Sequence, residues 1–258
     1  MGRLADRIAL VVPFAGRERW DRKMRWMERA LVSMPLVDVV VVGLLEAEFA
    51  QIDERLSDAG KGRIHGIYRA KEAFEVRSAQ MIEAVREGLL WSFSEGAVAG
   101  CSWDAEGEVD VVDLAGMIGL LRETRGVDHV MAVRLRLLGR DIKRSLVQLY
   151  YERILATGIS LALDIATYDT LCFTQAFLPS AAVLRALEKP FACRLLWQSE
   201  VLLRLRAQVE ETNRRTVEYP LRRWEAQGYS GLFGQHLSQA LWEMGHLAWM
   251  TRTERRGA

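Results

Sequence analysis

Three acidic residues at alternate positions follow an apolar run and are the part of this sequence best suited to chemistry. Residues 97–103 are predicted to form a buried strand, and Asp104, Glu106 and Glu108 come directly after it. Because side chains alternate along extended backbone, acids two positions apart project the same way. Such carboxylates suit Mg²⁺ or Mn²⁺, which would keep waters and take up substrate phosphates. The spacing indicates a metal site, although acids past a strand end are also typical of a solvated loop.

Length and composition describe a folded protein without a strong overall charge. The chain has 258 residues, of which 50% are hydrophobic and 27% charged. This is ordinary for a globular protein and suits one large α/β domain or two small ones, with one domain the simpler prediction. The 35 basic and 34 acidic residues leave a formal charge of +1. No long-range field attracts nucleic acid, and no nucleic-acid partner is expected.

Cysteine usage and the amino terminus favour a cytoplasmic protein. Cys101, Cys172 and Cys193 show no CxxC spacing, so they indicate neither a disulfide framework nor a zinc site. The charged first residues run straight into a short apolar strand, which is not the pattern of a signal peptide. No apolar segment approaches the roughly 20 residues that a membrane-spanning helix needs. Any membrane contact would therefore be peripheral.

The first half of the chain alternates apolar runs with amphipathic stretches. This alternation predicts a parallel sheet wrapped by right-handed crossovers, with ligands at the carboxyl ends of the strands. The three acids lie at such an end. Besides the run before the acids, strands are predicted over residues 7–14, 37–43, 63–68 and 129–135, and helices over 17–35, 48–59, 75–93 and 111–124.

The second half is predicted to be mainly helical. Tyr150 and Tyr151 lie beside arginines in its first helix, which favours either helix packing or contact with a membrane surface. Pro220 argues for extended backbone around it. Helices are predicted over residues 141–163, 180–187, 199–214 and 233–250, irregular structure over 164–177, an extended segment over 217–224, a turn over 228–231 and a frayed tail over 252–258.

Several motifs occur in an order that is known from one family. Strand one ending in Val11-Val-Pro13, the run Val39-Val-Val-Val42, the acids Asp104-Ala-Glu-Gly-Glu108 and then Ala132-Val-Arg134 resemble the nucleotide-binding half of family 2 GT-A glycosyltransferases. Later segments resemble the polyprenyl-phosphate (dolichol-phosphate) hexosyltransferase branch of that family. These are Tyr168-Asp-Thr-Leu-Cys-Phe-Thr-Gln-Ala-Phe177, Leu196-Trp-Gln-Ser-Glu-Val-Leu202, and Val217-Glu-Tyr-Pro220 with Trp224, Gly228 and Ser230.

The resemblance implies a fold, a donor and an acceptor. The fold is a Rossmann-like, mostly parallel mixed sheet flanked by helices, with a helical acceptor-side region. One domain would span residues 1–258, with a nucleotide-sugar half at 1–137 and an acceptor half at 138–258. The donor would be a sugar on UDP or GDP, carrying a hexose or an N-acetylhexosamine, with Mg²⁺ or Mn²⁺ as cofactor. The acceptor would be a polyprenyl phosphate or a small molecule, and a homodimer is left open.

The resemblance also implies residues of the donor site. Asp104 and Glu106 stand where the family has its Asp-x-Asp pair, with Asp104 near the nucleotide and Glu106 on the metal. Glu108 would be a further metal ligand. Pro13 and Glu18, at and after the end of strand one, would contact the donor.

On the acceptor side the resemblance implies three residues. Arg134 would face the donor phosphates, while Asp169 and Glu200 would lie near the acceptor. If the acceptor is a hydroxyl, Asp169 would take its proton, whereas an ionised phosphate acceptor needs no base. Ordinary alternatives stand beside these roles: Arg134 as a strand-end charge, and Asp169 and Glu200 as caps of free backbone amides.

Departures from the family motifs keep other functions open. Strand two runs from Val42 into Gly-Leu-Leu-Glu-Ala-Glu48 where the family has Asp-Asp-Gly-Ser, and Phe173 replaces an expected Gly. The first hypothesis is a metal-dependent glycosyltransferase that inverts the anomeric centre by direct displacement. The second is a GT-A binding or assembly subunit without turnover. The third, a nucleotidyltransferase, would need a Gly-rich basic loop after strand one, of which residues 15–19 are a poor version.

Overall fold

A computed structural model of the chain describes residues 2–13, 20–44, 52, 57–58, 60–68, 77–208, 215–225 and 237–257. The strands are β1 (Ile8–Pro13), β2 (Val37–Leu44), β3 (Ile64–Tyr68), β4 (Ala99–Ser102), β5 (His129–Val133), β6 (Asp141–Lys143), β7 (Gln175–Phe177), β8 (Thr216–Pro220) and β9 (Arg223–Glu225). The helices are α1 (Trp20–Ser33), α2 (Arg77–Ser94), α3 (Val111–Glu123), α4 (Leu146–Leu163), α5 (Ala181–Glu188), α6 (Trp197–Arg206) and α7 (Leu237–Gly257).

A seven-stranded mixed sheet in the order β3-β2-β1-β4-β7-β5-β8 forms the centre of the fold. β7 is antiparallel to both of its neighbours, β4 and β5, and the other strands share one direction. A second sheet pairs β6 with β9 in parallel. The predicted mostly parallel sheet flanked by helices is confirmed.

The central strands are mainly apolar because helices cover both faces of the sheet. Their buried polar residues are Asp38, Ser102, His129 and Gln175. Alternate residues of β1 enter different cores, as the period of two along a strand requires. Leu10 and Val12 pack with residues of α1 and α3 on one face. Ala9 and Val11 pack with residues of α2, α5 and α6 on the other. Because helices cover both faces, ligands of such a sheet bind at the ends of the strands.

Two predicted stretches of the second half differ from the structure. The helix predicted over 141–163 begins only at Leu146, because Ser145 caps it by accepting a hydrogen bond from the Gln148 amide at 3.2 Å, and β6 precedes it. The stretch predicted to be irregular, 164–177, contains β7, whose three residues are all buried. Three residues are too few to show a periodic pattern.

The last helix and two other predicted segments complete the comparison of prediction and structure. The predicted frayed tail is wrong, since α7 continues to Gly257. The turn predicted at 228–231 and most of the helix predicted over 48–59 lie outside the described residues.

Candidate active site

Several of the predicted site residues gather at one edge of the sheet. β1, β4 and β5 are parallel, so their carboxyl ends meet there, and the antiparallel β7 begins there. Pro13 is the buried last residue of β1, the acids follow β4, and Arg134 follows β5 directly. Asp169 lies in the segment that enters β7. The predicted donor residue Glu18 lies outside the described residues.

The segment of residues 103–110, called the acidic loop below, is folded rather than extended. Ala105 and Gly107 have φ angles of 55° and 90°. The Glu106 amide donates to Oδ1 of Asp104 at 3.0 Å, which closes a tight turn. A Cβ atom on Gly107 would lie 2.5 Å from Nε1 of Trp26, so this position needs glycine for space as well as for conformation. The alternation of an extended strand therefore does not apply to these acids.

Buried contacts hold both ends of the acidic loop. Trp103 is fully buried, and its indole Nε1 donates to the Val109 carbonyl at 3.2 Å. At the other end Asp110 caps α3 by accepting from the Val112 amide at 3.0 Å, and Arg29 lies 3.5 Å from its carboxylate. The loop is thus positioned by the protein itself.

A lysine from α1 reaches into this loop. The ammonium of Lys23 donates to the Asp104 carbonyl oxygen and lies 3.3 Å from Oε1 of Glu106. Burial, together with the charge of Glu108, raises the pKa of Asp104 to about 7. The charge of Glu106 also raises this pKa, whereas the charge of Lys23 lowers it.

The predicted three-carboxylate metal site is not assembled in this form. Within the described residues, no group of three or more His, Cys, Asp or Glu side chains is placed to hold a metal ion. The turned loop and the pairing of Glu106 with Lys23 are the physical reason. Asp104 and Glu108 still fit a cation, because Mg²⁺ commonly takes one or two carboxylates and completes its shell with water and phosphate oxygens.

Arg134 and Asp169 form a buried, two-pronged ion pair. Nε of Arg134 donates to Oδ2 of Asp169 at 2.7 Å, and a terminal nitrogen donates to Oδ1 at 2.8 Å. The Arg134 amide also donates to Oδ2 at 3.0 Å, and the Leu171 amide to Oδ1 at 3.0 Å. Asp169 therefore fixes the backbone at Arg134 and at Leu171.

A second arginine extends this network. Arg144 lies 3.3 Å from Oδ2 of Asp169 and 2.8 Å from Oε2 of Glu152. The Trp224 ring packs under both guanidinium groups, with its centroid 5.0 Å from Arg134 and 5.2 Å from Arg144. Although the Arg144 side chain is only 2% exposed, its Nε has no hydrogen-bond partner among the described residues.

The network sets the protonation of Asp169. Burial alone would raise the pKa of its carboxyl group, but Arg134 and Arg144 outweigh burial and hold that pKa well below its usual range. A carboxylate held in this way accepts a proton poorly. The guanidinium of Arg134 points into this pair, and its predicted contact with donor phosphates stays a prediction.

Glu200 lies apart from these contacts and is fully buried. Its carboxylate accepts from the amides of Ala192 at 3.2 Å and Cys193 at 2.7 Å, and from Arg204 at 2.6 Å. These bonds indicate a structural role like the predicted cap. Its predicted catalytic role stays a prediction.

A second buried glutamate was not identified from the sequence. Glu243 of α7 accepts from the amides of Arg194, Leu195 and Leu196 at 3.0, 3.0 and 2.8 Å. It thereby satisfies amides just before α6, which has no side-chain cap of its own. A single acid on an amphipathic helix gives no such signal in a sequence.

A basic cavity of about 520 Å³ adjoins the Arg134 network. It is lined by the β5–β6 connection, by β6 and by Arg144, and Arg144 joins it to Asp169. The one acid in its lining, Asp141, lies 3.7 Å from Arg223. The sequence did not reveal the cavity, because its cations are spread over nine positions. The basic lining residues are Arg136, Arg140, Lys143 and Arg144.

The Asp169→Asn variant should lose about 3 kcal/mol of unfolding free energy at pH 7, because breaking a buried ion pair leaves a buried charge. Since the folded pKa of Asp169 lies below the unfolded value of about 3.9, its contribution is complete above that value and is lost as the pH falls towards the folded pKa. The difference in unfolding free energy between the wild type and the variant, measured by urea unfolding, should thus be constant from about pH 8 to 5 and shrink below about pH 4. The Asp141→Asn variant, whose side chain is 60% exposed, is the control and should change little. An equal loss in both variants would contradict the ion-pair assignment.

Comparison with known proteins identifies the fold. No protein-family model matches the chain, and no curated protein matches it. Glucosyl-3-phosphoglycerate synthase from Mycobacterium tuberculosis in complex with UDP is similar in structure, with a TM-score of 0.55, 13% identity, and coverage of 95% of this chain and 80% of that chain. The same enzyme with Mn²⁺, UDP and phosphoglyceric acid gives a TM-score of 0.51 and 12% identity over 96% and 77% of the chains.

A further solved structure, a mycobacterial protein, has a TM-score of 0.51 and 14% identity over 98% of this chain and 74% of that chain. At these identities the likeness concerns the fold, and membership of the polyprenyl-phosphate branch stays a prediction. The sheet order, the flanking helices and these neighbours together show that the chain has the GT-A fold.

Proposed function

We propose that this protein is a glycosyltransferase that uses a nucleoside-diphosphate sugar. The observation that carries the proposal is the position of Asp104 and Glu108 at the carboxyl end of β4, within a GT-A fold. The similar solved enzyme has been crystallised with UDP and Mn²⁺, which supports the proposal that a nucleotide-sugar donor binds at this edge of the sheet. UDP is the first donor nucleotide to test and GDP the second, and the sugar is a hexose or an N-acetylhexosamine.

The acidic loop would hold the donor diphosphate through Mg²⁺ or Mn²⁺. Asp104 and Glu108 supply carboxylate oxygens, and a bound ion would neutralise charge on the departing diphosphate. Trp103 and Asp110 keep the loop in place, so that little ordering is needed when the donor binds. Pro13 ends the adjacent strand and would border the nucleotide.

The acceptor side favours an anionic acceptor. The basic cavity presents the side chains of Arg136, Arg140 and Lys143, and the buried Nε of Arg144 has no hydrogen-bond partner in the part of the chain that the structure describes. A phosphate group would supply oxygens to these donors. We therefore propose a phosphorylated acceptor, either a polyprenyl phosphate or a small molecule. The similar solved enzyme has been crystallised with phosphoglyceric acid, which supports the second form.

The protonation of Asp169 bears on the mechanism. An ionised phosphate oxygen attacks without a general base, and Asp169, with its depressed pKa, is a weak one. The site therefore favours attack by the phosphate itself in a single displacement, which inverts the anomeric centre. A hydroxyl acceptor would need a base with a higher pKa than Asp169 has in this network.

An exposed apolar face supports peripheral contact with a membrane. Along α4, Leu146, Val147, Tyr150, Ile154 and Leu161 are between 62% and 79% exposed. The preceding connection carries the cationic side chains of the basic cavity. Apolar residues beside basic ones match an anionic lipid surface in charge and polarity. We propose that this α4 face rests on the cytoplasmic side of such a membrane.

In the part of the chain that the structure describes, no helix is long and apolar enough to cross a bilayer. The alternative of a GT-A binding or assembly subunit without turnover rests on the altered strand-two motif after Val42 and on Phe173. It predicts no release of nucleoside diphosphate from any sugar donor.

Donor binding is tested by calorimetry with UDP, GDP and their sugars, with and without Mn²⁺. We expect UDP to bind at least about tenfold more tightly when Mn²⁺ is present, because the ion bridges the diphosphate to the carboxylates. Glu108→Gln should remove this metal dependence. Glu123→Gln, an exposed position on α3, is the control and should keep it. Absence of binding by any nucleotide, with the fold intact, would contradict the donor proposal.

Acceptor binding is tested with 3-phosphoglycerate and a short-chain polyprenyl phosphate in the presence of UDP and Mn²⁺. The Arg136→Gln/Arg140→Gln double variant should weaken binding of the true acceptor by about tenfold or more, since each charge-assisted hydrogen bond contributes roughly 1.5–3 kcal/mol. Arg125→Gln, exposed elsewhere, is the control. UDP affinity should stay unchanged in both. Equal weakening of UDP would place the cavity on the donor side instead.

Membrane contact is tested by sedimentation with phosphatidylglycerol vesicles and with neutral phosphatidylcholine vesicles. The protein should bind the anionic vesicles, more weakly at high salt, and Ile154→Glu should reduce binding by about fivefold or more. Val32→Glu, at another exposed apolar position on α1, is the control. If no vesicle is bound and Ile154→Glu instead abolishes a dimer in gel filtration, the α4 face is a homodimer interface.

A further inference from the structure

Glu218 of β8 holds the stretch of chain that leads into the Arg134–Asp169 ion pair. Oε1 of its carboxylate accepts a hydrogen bond from the Thr167 hydroxyl at 2.8 Å and another from the Tyr168 amide. Asp169, the partner of Arg134, is the next residue along the chain. The carboxylate of Glu218 therefore fixes the backbone immediately before the buried ion pair.

Residues 165–168, called the connecting segment below, are held from two sides. On the side of α4, the Ser160 hydroxyl donates to a carbonyl of this segment at 3.2 Å, and Arg153 donates to the Tyr168 carbonyl at 2.7 Å. The guanidinium of Arg153 also lies 3.8 Å from the centre of the Tyr168 ring. On the other side the contact comes from β8, through Glu218. The connecting segment is thus clamped between a helix and the edge strand of the sheet.

A cavity of about 220 Å³ borders the connecting segment. Besides the segment itself, residues of β5, α6 and β8 form its walls. Close packing on every surface would fix a segment by contact alone, whereas a cavity leaves part of its surface without such neighbours. The hydrogen bonds of the segment therefore contribute more to its position, and Glu218 accepts two of them. The lining residues are Met131, Ile165, Ala166, Thr167, Leu202, Thr216 and Glu218.

The position of Asp169 determines where two cations of the site lie. Its carboxylate accepts from Nε of Arg134 at 2.7 Å and from a terminal nitrogen of Arg144 at 3.3 Å. Arg144 lines the basic cavity, in which the acceptor phosphate is proposed to bind. Charge-assisted hydrogen bonds depend on distance and direction, so a displacement of Asp169 would release both arginines. Such a displacement would reach the basic cavity through Arg144.

We propose that Glu218 is a positioning residue of the acceptor site. It holds the chain at Thr167 and Tyr168 and thereby sets the position of Asp169. Through Asp169 it sets the orientation of Arg144 towards the acceptor phosphate. Glu218 itself touches no reacting group. The inference rests on the proposed acceptor site and adds the edge strand β8 to the elements that determine acceptor affinity.

Hydrogen exchange measured by nuclear magnetic resonance tests this positioning without any ligand. The amides of Arg134 and Leu171 both donate to Asp169 at 3.0 Å, so their exchange rates report how firmly Asp169 is held. Glu218→Ala should raise both rates by about tenfold or more, since two hydrogen bonds to a charged group are lost. Glu218→Gln should keep both rates within about twofold of the wild type, because an amide oxygen also accepts hydrogen bonds. Amides of β1 and β4 should keep their protection in both variants.

Acceptor affinity is measured by calorimetry with 3-phosphoglycerate and a short-chain polyprenyl phosphate, in the presence of UDP and Mn²⁺. Glu218→Ala should raise the dissociation constant of the acceptor by about fivefold or more, because Arg144 loses its orientation towards the phosphate. The dissociation constant of UDP should not change. Thr167→Val, which removes one of the two hydrogen bonds to Glu218, should give a smaller change in the same direction, and Glu218→Gln should resemble the wild type.

Tyr219→Phe is the matched control. It removes a hydrogen bond of the same strand, the one to Asp113 at 3.3 Å, on the opposite face of the sheet. This variant should change neither the exchange of the two reporter amides nor the acceptor affinity. An effect as large as that of Glu218→Ala would show that β8 acts only as a structural support, and the inference would be wrong.

The inference is also wrong if Glu218→Ala leaves both reporter amides protected, or raises the exchange of all amides alike. The same holds if acceptor affinity is unchanged, or if acceptor and UDP affinities fall equally. Those results leave the acceptor proposal intact. Failure of the folded wild-type protein to bind either acceptor would instead overturn the acceptor proposal itself, whatever the exchange rates are.

Discussion

The buried ion pair between Arg134 and Asp169 is the interaction on which the acceptor side depends. It joins the end of β5 to the segment that enters β7, and β7 in turn fills the place between β4 and β5. Arg144 connects the same pair to Glu152 and hence to α4. Removing one partner would leave an unpaired charge buried in the protein. Through these contacts the pair holds β5, the segment that enters β7 and α4 together. The same contacts keep Asp169 ionised and make it a poor base, which links the architecture to the kind of acceptor that the site suits.

The two sides of the site carry opposite excess charge. On the proposed donor side, Lys23 lies 3.3 Å from Glu106 and Arg29 lies 3.5 Å from Asp110, and burial with the charge of Glu108 raises the pKa of Asp104 to about 7. On the proposed acceptor side, the described lining of the basic cavity has four cations and one acid, and Nε of Arg144 has no hydrogen-bond partner among the described residues. In the proposed function, a metal-bound diphosphate would compensate the first side and a phosphorylated acceptor the second. This distribution of charge supports the proposed transfer of a sugar between two phosphate-bearing molecules.

The sequence predicted the sheet well because double burial leaves long apolar runs, as in β1 and β2. It also placed the acids after one strand and Arg134 on another, and in the structure they follow β4 and β5 at the carboxyl ends. It failed where the structure depends on contacts distant in sequence. The positive φ of Ala105 is not evident from its residue type, and it invalidates the assumption of extended backbone for the acids. Lys23 has the pattern of a solvated helix face until the acidic loop, about eighty positions later, packs on it. The strand β7 is too short to be periodic, and the pairing of Arg134 with Asp169 spans 35 positions.

Buried cations in this site differ in whether their hydrogen bonds are satisfied, and that difference separates two roles. Lys23 has a carbonyl and a carboxylate as partners, so its charge is compensated within the protein. Arg144 binds carboxylates through its terminal nitrogens, yet its buried Nε has no acceptor among the residues that the structure describes. An unsatisfied buried donor costs about 1–3 kcal/mol, and a folded protein that retains one has a reason in its ligand, in water or in strain. Because Arg144 is one of the residues that line a cavity rich in positive charge, an anionic group is the ligand that best suits this part of the site.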